Sequence, residues 1–150
     1  NEVSIEPNKE LKEPSAKDLL TLTKDNPSKE DIQKLIESWL YGKAGILAGK
    51  NQHDLSTVAR PALVKIVRDQ RANDIKLGQS QIIYASITSL EIEEQSSKRI
   101  AASVILSYKD QRLNESGQII SETTIPSLKL NYVIGREKEL WQLLDFSSRT

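Results

Sequence analysis

At 150 residues the chain has the length of one domain with room for a real core. Lys and Arg number 21, Asp and Glu number 21, and the basic residues are scattered, which excludes the basic stripe that a nucleic-acid or anionic-lipid binder needs. No apolar run approaches the roughly 18 residues of a membrane-spanning helix, and the absence of cysteine excludes disulfides, thiolate catalysis and cysteine metal sites without choosing a redox compartment.

Methionine is absent as well, even at position 1, so the chain is expected to begin inside a longer product, with any leader or membrane helix upstream of Asn1. Residues 1–27 carry three prolines, many charges and few large apolar groups. That composition predicts a flexible linker that buries too little surface to order itself. Leu19, Leu20 and Leu22 are the exception, a short apolar stretch able to dock on the domain. The domain itself is expected over residues 28–148.

Ser28, followed by Glu30 and Asp31, reads as an N-cap with acids in the first turn. Ile32, Leu35, Ile36, Trp39 and Leu40 then fall at i, i+3, i+4, i+7 and i+8, the stripe of an amphipathic helix that Ala44 and Leu47 prolong to a stop at Gly49. A loop through His53 follows, with Asp54 or Ser56 placed to cap a short turn. Pro61 suits the first position of a second helix, whose buried face is expected to hold Ala62, Leu63, Ile66 and Val67 and whose end lies near Gly78.

From residue 81 the period changes to two. Residues 81–94 alternate and are rich in Ile, Tyr and Thr, a strand pattern, and residues 94–98 supply a polar turn. In the next strand Ala102, Val104, Leu106 and Tyr108 point one way, and Ala101, Ser103 and Ser107 the other. Asn114 to Gly117 turns the chain, residues 118–134 make a third strand interrupted by Pro126, and a hairpin over 135–138 leads to a closing strand around Trp141. Helices followed by a meander predict an α+β fold, the helices packed on one face of a four-stranded antiparallel sheet.

From about residue 30 to 147 the chain resembles the C-terminal domain of the cyanobacterial and chloroplast division proteins related to ZipN. The resemblance is carried by Trp39 in the first helix, the loop of residues 48–53 ending in His53, Leu77 and Gly78 before Tyr84, and the closing Leu140, Trp141, Gln142 and Leu143. Gln79 stands where the family has an aromatic, and Leu140 where it has a glycine. The resemblance implies an NTF2-like or SnoaL-like cone. It also implies a position beyond a single membrane helix, away from the cytoplasmic part that engages FtsZ. There, on the periplasmic or plastid intermembrane-space side, the domain is implied to bind another division protein. The same domain type also occurs fused to kinases, which would make it a cytoplasmic regulatory module.

The residues themselves argue against catalysis. His53 is the single histidine and has only Asp54 beside it, too little for a catalytic or zinc set. Glu91, Glu93, Glu94, Glu115, Glu137 and Glu139 fall at strand ends and turns, and no carboxylate is expected inside the cone with the raised pKa of a catalytic acid. The glycines form no phosphate-binding loop. No catalytic residue, cofactor or metal site is expected. The expectation is a non-enzymatic domain that grips a peptide of its partner in a cleft between helices and sheet, through Trp39, Tyr84, Leu106, Tyr108, Leu130 and Tyr132. The other possibility this fold raises is a small-molecule enzyme or ligand carrier, for which a buried Asp or His would be the sign.

Overall fold

The computed structural model describes residues 21–50 and 54–149. Helix α1, Lys29–Leu47, begins on a reciprocal cap: Ser28 Oγ accepts from the Asp31 N–H at 3.1 Å and the Asp31 carboxylate accepts from the Ser28 N–H at 2.8 Å. Its apolar stripe packs as the spacing predicts, with Ile32, Leu35, Ile36, Trp39, Ile46 and Leu47 all buried. A 3-10 turn at Leu55–Thr57, capped by Asp54, leads to helix α2, Pro61–Leu77, which ends on Gly78 at φ +68°.

Four strands follow as a meander in the order β1-β2-β3-β4, all antiparallel. They are β1 Ser80–Gln95, β2 Arg99–Leu113, β3 Ile119–Glu137 and β4 Leu140–Ser148. Bulges interrupt every pairing, after Ile87 and Ile92 in β1, between Leu106 and Tyr108 in β2 and at Leu144 in β4, opposite Val133 and Ile134 of β3. A bulge adds local twist and bends its strand, so the sheet curls around α1. Pro126 does not interrupt β3. It sits opposite the bulge between Leu106 and Tyr108 and beyond the reach of β4, where its missing N–H leaves no ladder bond unmade.

The helix-side face of the sheet carries Ala85, Leu90, Ile100, Ala102, Val104, Leu106, Tyr132, Ile134, Trp141 and Leu143, which form one core with α1 and α2. Between the helices, Leu55, Val58 and Ala59 join that core, and Ala59 forms a parallel bridge with Leu143 that covers part of the outer edge of β4.

Three expectations are corrected. The linker expected over 1–27 does not extend to residue 27, because the described part of that segment lies against the fold. Leu22 is 3% exposed and its carbonyl accepts from the Trp141 N–H, while the Lys24 carbonyl accepts from Trp141 Nε1 at 2.8 Å. Arg136 adds bonds to the Thr23 carbonyl and the Asp25 carboxylate. The domain therefore starts before Ser28; residues 1–20, with Leu19 and Leu20, lie outside the described residues. On α2, Leu63 and Val67 are buried as expected, but Ala62 and Ile66 face solvent, Ile66 at 54%. The helix meets the rest of the fold along the narrow line Leu63, Val67, Asp74, at i, i+4 and i+11, so the wider stripe has nothing to cover it. Finally, a carboxylate is buried after all. Asp74 is 5% exposed and meets Arg112 Nη1 of β2 at 2.7 Å.

Candidate partner-binding site

The helical period places Trp39 and Lys43 one turn apart on the same face of α1. The Trp39 indole packs on Phe146 of β4 with ring centroids 5.9 Å apart, and Phe146 packs on Tyr132, its cross-strand partner on β3, at 5.8 Å. Above this ladder lies the Lys43 ammonium, 5.3 Å from the centroid of Phe146 and 5.8 Å from that of Trp39. Burial pushes the Lys43 pKa down and the Tyr132 phenol up.

From Tyr132 the same face of the sheet continues outward through Leu130, Leu128 and Ile125 of β3, paired with Val104, Leu106 and Tyr108 of β2. Leu106 is buried and Leu130 is 8% exposed, whereas Leu128, Ile125 and Tyr108 are only partly buried. The strip thus emerges from the core where β3 outruns β4, whose last pair is Ser148 with Leu130. Tyr108 donates its hydroxyl to Asp110, and burial together with that carboxylate raises its pKa.

The expected site residues therefore divide. Trp39, Leu106, Leu130 and Tyr132 form the floor of one apolar strip, and Tyr108 stands at its open end. Tyr84 does not join them: its neighbour Ala85 faces the core, and Tyr84 lies on the opposite face of the sheet under the Lys109 ammonium, which also pairs with Glu122 at 3.3 Å. His53 lies outside the described residues. Two members of the strip were not anticipated, Phe146 and Lys43. The clue to Lys43 was available, because it is a lysine set at i+4 from Trp39 and i+7 from Ile36 in an otherwise apolar stripe.

Chemically the strip offers apolar surface, aromatic edges, one desolvated cation and a phenol. Asp74 is no free acid, since Arg112 neutralises it, and no cluster of metal-binding side chains occurs among the described residues. A polar hollow at the hairpin end, lined by Ser97, Lys98, Arg136, Glu137 and Lys138, mixes charge signs. Its arginine is already engaged by Asp25, by the Thr23 carbonyl and by the Trp141 ring.

The family model described as "ARC6-like, IMS domain" matches residues 32–144. The chain belongs to that family. The fold agrees: a crystal structure of the intermembrane space region of chloroplast protein ARC6 superposes with a TM-score of 0.61 at 13% identity, covering 82% of this chain and 97% of that one. The association domain of C. elegans CaMKII is also found, at a TM-score of 0.46 and 11% identity, over 81% of this chain and 95% of that one. No curated protein sequence matches the chain. The expected family is thus shown, a domain of ZipN-related division proteins, and so is the α+β arrangement of helices on a four-stranded antiparallel open sheet. This IMS domain spans nearly the whole of the ARC6 region it resembles.

Proposed function

We propose that this IMS domain is a non-catalytic binding module of a membrane-anchored division protein, receiving a peptide segment of another division protein on the strip between α1 and the β3–β4 end of the sheet. The family match over residues 32–144 carries the reading, and the kinship with the intermembrane space region of ARC6 supports a periplasmic or intermembrane-space location over a cytoplasmic one. The chemistry supports binding rather than turnover. An apolar strip with aromatic edges that opens at one end is the usual form of a recognition site, and Asp74, the one buried carboxylate among the described residues, is paired with Arg112.

On this reading Tyr108, Leu128 and Ile125 meet the partner first, and Phe146, Leu130, Leu106, Tyr132 and Trp39 form the floor beneath. The test is calorimetric titration of the domain with the extramembrane segments of the division proteins that share its membrane. One of them binds, and Tyr108→Ala weakens it by roughly 1–3 kcal/mol with the fold intact. Finding that no such segment binds, or that a small molecule is bound and converted, would replace this reading.

A further inference from the structure

Within the strip, one charge has no counter-charge. Every other inward position of α1 from Ile32 to Leu47 is apolar or small, yet Lys43 lays its ammonium over two rings instead of extending to solvent. Among the described residues no carboxylate lies within ion-pair distance of Lys43 Nζ. A long lysine stem on a helix ordinarily snorkels its charge into water. Here the charge stays on the aromatic frame, and the ring faces replace only part of its lost hydration.

We propose that Lys43 is the anchor for a carboxylate carried by the bound partner segment, seated against the Trp39 and Phe146 rings. The proposal rests on the partner-binding reading above. It follows from complementarity. In a surround this apolar, a charge-assisted hydrogen bond is worth more than at an open surface. A neutral amide of the same shape leaves the ammonium uncompensated. The carboxylate has two possible sources, an acidic side chain or a chain end.

The experiment uses the whole chain and three probes: acetylated trileucine with a free carboxyl end, the same peptide amidated, and an amidated acetyl-Leu-Glu-Leu. Binding is followed by NMR at the Lys43 ammonium and the Trp39 indole N–H. At least one acid-bearing peptide shifts both signals saturably and binds at least tenfold tighter than the neutral one, and which of the two does so names the source. Lys43→Met abolishes the preference while leaving the urea midpoint unchanged or higher, and Lys43→Arg retains it. Equal binding of acid and neutral peptides, no saturable shift from either acid, or a preference that survives Lys43→Met each overturns the proposal. The two readings fail separately. A division-protein segment that binds the wild type and Lys43→Met equally well sinks the anchor and spares the module. A carboxylate preference without any division partner does the reverse.

Discussion

Cutting the chain at Ser28, the boundary its composition suggests, is expected to cripple the domain. A chain starting at Ser28 loses three things that one starting at Thr21 retains. The first is Leu22, 3% exposed in the core; emptying a buried leucine site costs about 2–5 kcal/mol. The second is the acceptor for Trp141 Nε1, the Lys24 carbonyl at 2.8 Å, and the third is the Leu22 carbonyl that takes the Trp141 N–H at 2.9 Å. Trp141 is fully buried, and a buried donor left without a partner costs about 1–3 kcal/mol. The Arg136–Asp25 ion pair adds little, because the Asp25 side chain is 88% exposed. Together the losses come to roughly 4–11 kcal/mol, against the 5–15 kcal/mol that holds a typical domain. Urea unfolding of both chains, followed by tryptophan fluorescence, measures the difference, and Leu22→Ala in the longer chain isolates the first term at about 2–5 kcal/mol. Equal midpoints for the two chains would show that residues 21–27 only rest on the surface.

Trp39→Ala removes the largest side chain of the α1 stripe and is expected to cost about 3–5 kcal/mol in the same assay, with a loss below roughly 1 kcal/mol contradicting its burial. Ile66→Asn tests the corrected face of α2: with its side chain in solvent it should change stability by less than about 0.5 kcal/mol, whereas a core position would lose several times that. Asp31 makes the helix cap sensitive to acid. The Ser28 backbone N–H, with Lys24 adding to it, holds the carboxylate below its ordinary 3.8. Its contribution is therefore complete above that value and is lost as pH falls through the lower folded pKa. Wild type is expected to exceed Asp31→Asn in stability at neutral pH and to converge with it only as pH falls from 3.8 through the lower folded pKa, in acid titrations of the unfolding midpoint; a gap that persists below that pKa would contradict the linkage.

What was legible in the chain was whatever depends on near neighbours. The apolar stripe from Ile32 to Leu47, the Ser28 cap, Pro61 opening and Gly78 closing the second helix, and the turn at Asn114 to Gly117 all rest on contacts or dihedral preferences spanning a few residues. They appear in the structure where the spacing puts them. The polarity of β2 was likewise readable, because its two faces differ in composition. The face of Tyr84 was not. Ile82, Ile83, Tyr84, Ala85 and Ile87 offer apolar residues at both parities, and the bulges after Ile87 and Ile92 shift the phase again, so only pairing with β2 decides which set turns inward.

The same limit governs Leu22, Ile66, Asp74 and Lys43. Leu22 lies in a segment that reads as linker, able at most to dock, and is core because Trp141, more than a hundred residues away, offers two donors to its segment. Ile66 reads as core and is exposed because the sheet does not extend beneath that side of α2. Asp74 is tolerated inside because β2 delivers Arg112 to it, and Lys43 is held on the aromatic frame because β4 brings Phe146 to Trp39. Helix propensity, capping and turn chemistry are local energies and can be read from composition and spacing. Which faces meet is set by partners distant in sequence, and those only the tertiary structure brings together.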